Sequence, residues 1–129
     1  MNSRLRYTAA VKNVGEKGLN DRITLIHGDV LTAEIEGLFD LIFIDAAKAQ
    51  YTKFFEKYKA NLSEGGVIIS DNLSFHGMVE DLSLTHNYST KKLVKKIRKY
   101  IDFLKANKEF ETEFFKKCDG ISVSKRRLF

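Results

Sequence analysis

Four side chains capable of joint chemistry stand directly after two apolar runs. Asp45 closes Phe39-Asp40-Leu41-Ile42-Phe43-Ile44 and is followed by Ala46-Ala47-Lys48, while Asp71-Asn72 follows Gly65-Gly66-Val67-Ile68-Ile69-Ser70. Short continuous apolar runs bounded by turn residues read as buried strands of a parallel sheet, whose ligands collect at the carboxyl ends of the strands. Two carboxylates, an amide oxygen and an amine are therefore expected to converge on one crevice. Oxygen donors of this kind suit a hard cation such as magnesium or another divalent ion.

The elements that must position these groups follow from periodicity. From Ser3 to about Lys17 the residues Tyr7, Ala10, Val11 and Val14 recur at helical spacing, and Gly18 supplies a left-handed cap. Residues 22–29, rich in β-branched side chains and closed by Gly28-Asp29, predict a strand, and Val30 to Gly37 a short helical or loop connection. Phe39 to Asp45 is the next strand. Gln50 to Leu62 sets Tyr51, Phe54, Phe55, Tyr58 and Leu62 on one helix face, and Ser63-Glu64-Gly65-Gly66 turns the chain into a strand over Val67 to Ser70.

Residues 73–90, polar and sparsely apolar, predict a loop over the carboxyl edge of the sheet. Thr90 to about Asn107 forms the clearest helix, with Leu93, Val94, Ile97, Tyr100, Ile101 and Leu104 opposite Lys91, Lys92, Lys95, Lys96 and Lys99. Phe110 to Lys117 and Gly120 to Lys125 then predict an antiparallel hairpin turning near Asp119-Gly120. Strands alternating with helices and ending in a hairpin imply an α/β fold with an antiparallel edge.

The bulk composition bounds the possibilities. A chain of 129 residues, 43% hydrophobic and 30% charged, is one globular domain at most. No window has the apolar length of a membrane span and no apolar signal region opens the chain, so a soluble cytoplasmic protein is the simple expectation. Cys118 is the single cysteine, which excludes an internal disulfide and thiolate zinc sites within one chain. The net charge of +5 is uneven: residues 91–129 hold 13 Lys and Arg against 5 Asp and Glu, while the first 90 residues carry −3. Such asymmetry suits an anionic partner, although a charged helix face is commonly just solvated.

Taken together, Phe39 to Lys48 and Gly65 to Asn72, in this order and after His27-Gly28-Asp29, closely resemble the class I S-adenosylmethionine-dependent O-methyltransferases of the catechol and caffeoyl-CoA type. The resemblance covers nearly the whole chain. It implies the carboxyl-terminal part of a Rossmann-like methyltransferase sheet, strands 3 to 7 of the order 3-2-1-4-5-7-6, as a single partial domain over residues 1–129. It also implies that Asp45, Asp71 and Asn72 ligate magnesium or another divalent cation, that Lys48 is the general base with Asp45 beside it in catalysis, and that Asp29 and Asp45 contribute to binding S-adenosylmethionine, Asp29 near the adenine. Singly, each of these residues has a plainer role. An Asp at a strand end is most often a cap or turn former, and a lone Lys is most often solvated. His27, His76 and His86 show no metal-ligand spacing and read as packing or loop residues.

The chain departs from the family pattern at its start. The Gly-rich loop after the family's first strand and the acidic residue ending its second have no counterpart here, since Gly15 and Gly18 end a helix. The expectation is an amino-terminally truncated methyltransferase that binds the cofactor weakly and is inactive alone. Strands 4, 5, 7 and 6 would stay contiguous, and the strand over Ile23 to Ile26 would be an orphan that must pair with Phe39 to Ile44 or with another chain.

For the methyl acceptor, the basic helix from Lys91, the terminal Lys125-Arg126-Arg127 and the likeness of the closing Asp119 to Arg126 stretch to the bacterial transfer-RNA 5-hydroxyuridine branch favour tRNA. The alternatives are a catechol-type enzyme of hydroxylated small molecules and a non-catalytic remnant that binds RNA or a partner. A homodimer is expected of the full-length family, and no membrane.

Overall fold

The computed structural model describes residues 3–45, 50–71, 73, 87–116 and 120–128. Lys48, Asn72, His76, His86, Cys118 and Asp119 lie outside them. The chain divides into two compact units, Met1–Glu34 and Ile35–Phe129.

In the first unit, α1 spans Ser3–Glu16. Gly18, at φ +66°, ends it as expected: Leu19 N–H reaches the Val14 carbonyl at 3.0 Å and Gly18 N–H the Gly15 carbonyl at 3.1 Å, the paired bonds of a glycine-closed helix end. Tyr7 and His27 stack with ring centroids 5.0 Å apart, and His27 lies exposed outside any helix or strand.

Residues 22–29 correct the expectation of a strand. They join no ladder among the described residues, and β1 pairs there with β2 alone, so the pairing expected between Ile23 to Ile26 and Phe39 to Ile44 is not made. The segment is instead entered by a turn, Arg22 and Ile23 both donating to the Leu19 carbonyl at 2.9 Å. Ile23 and Ile26 remain exposed. β-branched composition fits a half-buried pleat but does not create one without a partner strand and a face to bury.

The second unit carries the sheet: β1 (Phe39–Ile44), α2 (Tyr51–Tyr58) with a 3₁₀ turn over Lys59–Asn61, β2 (Leu62–Ser70), α3 (Tyr88–Ala106), β3 (Phe110–Phe115) and β4 (Ile121–Arg126). The strand order is β1-β2-β4-β3, with β1 and β2 parallel and the remaining pairs antiparallel. Four contiguous strands closed by an antiparallel hairpin are the α/β arrangement expected.

The Ser63-Glu64-Gly65-Gly66 turn is built into β2 as a bulge. Phe39 pairs with Leu62 but Leu41 already pairs with Val67, so β2 has three residues more than β1 over this interval. Gly65 takes φ +78°, and a Cβ on Gly66 would lie 2.9 Å from the Asp40 carbonyl, so both glycines are required. Ser63 Oγ donates to Asp40 Oδ1 at 2.6 Å and pins the irregularity.

The core lies on one face of the sheet. Its buried residues include Ile44, Ile68 and Phe110 of the strands, Tyr51, Phe54 and Phe55 of α2 and Val94, Ile97, Tyr100 and Leu104 of α3. Phe55 sits at the centre of an aromatic cluster, edge-on to Phe103 at 5.5 Å and to Phe110 at 4.9 Å. The apolar run of β1 predicts burial on both faces, but Leu41 and Phe43 are 54% and 53% exposed. In a pleated strand alternate residues face opposite sides, and α2 and α3 cover only the side of Ile42 and Ile44.

Candidate active site

The ends of β1 and β2 bring two of the expected site residues together. Ile44 and Ser70 form the last register pair of the parallel ladder, and Asp71 N–H extends it by donating to the Ile44 carbonyl at 3.2 Å. Asp45 and Asp71 are the next residues on strands that run about 4.8 Å apart. Asp45 is exposed and Asp71 half-buried, so the pair stands at the solvent edge of the core.

Three further contacts fix this edge. Tyr51, the first residue of α2 and fully buried, donates its hydroxyl to the main-chain carbonyl of Asp71 at 3.1 Å. Tyr100 of α3 shares a 2.6 Å hydrogen bond with Ser70 Oγ, one residue before Asp71, and its ring meets that of Tyr51 edge-on at 5.4 Å. Leu73 N–H donates to the Gly120 carbonyl at 3.0 Å, tying the chain beyond β2 to the start of β4. The main chain is thus held at Asp71 and again at Leu73. Burial pushes the Tyr100 phenol well above its ordinary range, against the opposing effect of the Ser70 bond and with a smaller upward push from Tyr51. Tyr100 is therefore a neutral structural hydroxyl rather than an acid or base near pH 7.

The remaining expected site residues are Lys48, Asn72 and Asp29. Lys48 and Asn72 lie outside the described residues. Asp29 belongs to the first unit, where its Oδ1 accepts the Leu31 N–H at 2.9 Å and its carbonyl accepts those of Thr32 and Ala33 at 3.1 and 2.8 Å. That is the turn-forming use of an aspartate.

Among the described residues no group of three or more His, Cys, Asp and Glu side chains could hold a metal. The donors that are present nonetheless suit a hard cation: two carboxylates on neighbouring strand ends, with an amide residue next in sequence to one of them. A cavity of about 220 Å³, lined by Leu73, Ile101, Lys105, Phe114, Lys116 and Ile121 among others, opens beside the same end of β2.

Sequence reasoning missed two residues here. Tyr51 and Tyr100 both fall in apolar stripes and read as core; the only sequence signal is that a buried tyrosine hydroxyl must find a partner. It also read Arg126 as part of a basic terminal cluster. Its guanidinium instead donates to the main-chain carbonyls of Leu62 and Lys59 at 2.9 and 2.6 Å, lies 3.8 Å from the Glu109 carboxylate and covers the Phe110 ring. Arg126 clamps the start of β2 to β4.

The sequence profile of the O-methyltransferase family matches residues 3–127, and the chain belongs to that family. A catechol O-methyltransferase from Niastella koreensis is 30% identical over 126 residues, an alignment covering 89% of this chain and 55% of the relative. Among solved structures, a Staphylococcus aureus protein assigned as a caffeoyl-CoA O-methyltransferase superposes with a TM-score of 0.85 at 32% identity, covering 92% of this chain and 58% of that one. The O-methyltransferase from Bacillus cereus, solved in complex with SAH, gives a TM-score of 0.82 at 25% identity, covering 98% and 60%. The α/β fold is therefore the Rossmann-like fold of these methyltransferases. The chain spans between half and two thirds of the length of these relatives.

No helix among the described residues is long and apolar enough to cross a membrane.

Proposed function

We propose that this chain supplies the metal and base half of a divalent-cation-dependent O-methyltransferase that transfers a methyl group from S-adenosylmethionine to an acidic hydroxyl. The observation that carries this reading is the juxtaposition of Asp45 and Asp71 at the ends of two parallel strands, one residue past the Ile44–Ser70 pair. Family membership and the SAH complex of the Bacillus cereus relative support the cofactor.

Asp45, Asp71 and Asn72 would hold the cation. When bound, it supplies positive charge that lowers the pKa of the acceptor hydroxyl, and S-adenosylmethionine supplies an electrophilic methyl group. Lys48, three residues beyond Asp45, takes the hydroxyl proton. With the cofactor bound, the resulting oxygen nucleophile would accept its methyl group, the electron pair of the broken carbon–sulfur bond leaving with sulfur. Tyr51 and Tyr100 do no chemistry. They keep the end of β2 in place, which matters because transfer of this kind depends chiefly on orientation.

The acceptor proposed first is 5-hydroxyuridine in tRNA, supported by the +8 charge of residues 91–129; the second is a catechol-type small molecule, supported by the Niastella koreensis relative. As part of the same proposal, the 129 residues alone bind S-adenosylmethionine weakly and turn over little, because no Gly-rich loop follows a strand among the described residues; Asp29 contributes on the adenine side.

A chimera tests the reading. Residues 3–127 replace the matching part of the Staphylococcus aureus protein, and methyl transfer from labelled S-adenosylmethionine is followed with catechol and with tRNA carrying 5-hydroxyuridine. The expected result is transfer that a chelator abolishes and that Lys48→Ala reduces at least a hundredfold. Transfer indifferent to the chelator and to Lys48→Ala would overturn it. Tight one-to-one titration of the 129-residue chain with S-adenosylmethionine would overturn the claim that this is only half a site.

A further inference from the structure

The solvent face of α3 is strongly basic, and it carries an unusual companion. Lys92, Lys95, Lys96 and Lys99 are exposed, and among the described residues no carboxylate pairs with them. Asp102 is the only acidic residue in the helix. Like charges three and four residues apart destabilise a helix, so this face weakens α3, which is held instead by its buried side of Val94, Ile97, Tyr100 and Leu104.

At 100° per residue, Tyr88, Lys92, Lys95 and Lys99 fall within about 60° of one another on a single stripe, and the stripe runs about 16 Å along the axis. Tyr88 is 80% exposed, against complete burial of Tyr51 and Tyr100. An aromatic ring left in solvent gains nothing from folding. The start of α3 does not need it for capping either, since Asn87 Oδ1 already accepts the Thr90 N–H at 3.0 Å.

A row of amines in line with an exposed ring has the two elements that single-stranded nucleic acid requires, cations for the phosphates and a π-face for an unstacked base. A duplex would leave the ring unused, and an acidic polypeptide would use only the amines. We infer that the Tyr88–Lys92–Lys95–Lys99 stripe of α3 is a docking surface for single-stranded RNA, with Tyr88 stacking on a base and the three lysines on successive phosphates. The choice of RNA over DNA rests on the tRNA acceptor proposed above; the surface itself does not depend on methyl transfer.

Fluorescence anisotropy of the full chain with a labelled single-stranded oligouridine lacking any hydroxylated base tests this without invoking the reaction. The expected binding weakens with salt at a log–log slope of about −2, the value for three phosphate contacts on a single strand. Changing Lys92, Lys95 and Lys99 together to Glu is expected to cost at least tenfold in affinity and to remove most of that slope. Tyr88→Ala is expected to cost about tenfold while leaving the slope unchanged. These residues are exposed, so circular dichroism of each variant should match the parent. Binding of the triple variant as tight as the parent's would overturn the surface. Tyr88→Ala binding as the parent, or a polyglutamate chain of equal charge binding as tightly as the RNA, would overturn the nucleic-acid assignment. Oligouridine binding with no methyl transfer in the chimera would sink the proposed function and leave this inference standing.

Discussion

The Tyr51 hydroxyl donates to the main-chain carbonyl of Asp71 at 3.1 Å, joining the first residue of α2 to the residue that ends β2. The helix following one candidate ligand, Asp45, is thereby anchored to the backbone of another. Tyr51→Phe removes this bond without removing the ring. A stability loss of about 1 kcal/mol is expected from denaturant unfolding, with weaker divalent-cation binding as the readout that packing alone would not move.

The Ser70–Tyr100 bond, at 2.6 Å in the buried core, has a similar bracing role one residue earlier. Removing either partner strands the other away from water. Tyr100→Phe and Ser70→Ala are each expected to cost about 1–3 kcal/mol, and the double variant less than their sum. A double-mutant cycle by urea unfolding measures the coupling.

The raised Tyr100 pKa fixes the sign of an alkaline effect. The folded chain holds its phenolic proton more firmly than the unfolded chain, whose tyrosines titrate near 10. The stabilisation is complete below that pH and falls as the pH rises above it, because the unfolded state then binds fewer protons. The midpoint of thermal unfolding should decline above about pH 10, and Tyr100→Phe should flatten that decline.

Arg126 is expected to behave as a structural residue. Its two donated bonds to the Lys59 and Leu62 carbonyls are charge-assisted, so Arg126→Ala should lower stability by about 2–3 kcal/mol in denaturant unfolding. Arg126→Lys should not restore it, because one ammonium cannot reproduce the planar fork that spans two carbonyls. Binding of the oligouridine probe by folded Arg126→Lys should equal the parent's.

What was legible in the sequence depended on whether an element carries its own periodicity. α2, α3 and the hairpin do, and the structure places them within a few residues of the expected bounds. The glycines at 65 and 66 correctly announced an irregularity, although it proves to be a bulge inside β2 rather than a turn before it. The segment at residues 22–29 was misread because β-branched composition describes a strand only when a neighbour exists to pair with it. β1 was misread in part for a related reason: a continuous apolar run signals a parallel strand, but burial of both faces needs layers on both sides. In the candidate site, strand-end placement brought Asp45 and Asp71 together as expected. The roles of Tyr51, Tyr100 and Arg126 were not legible, since each depends on a polar atom meeting a partner 20 to 67 residues away.

Manganese titration of the 129-residue chain, followed by electron paramagnetic resonance, tests directly whether the ends of β1 and β2 form a divalent-cation site. One bound ion per chain is expected, displaced by magnesium, with affinity reduced at least tenfold in Asp45→Asn and in Asp71→Asn. No bound ion, or an ion retained at full affinity when both aspartates are replaced, would contradict the account.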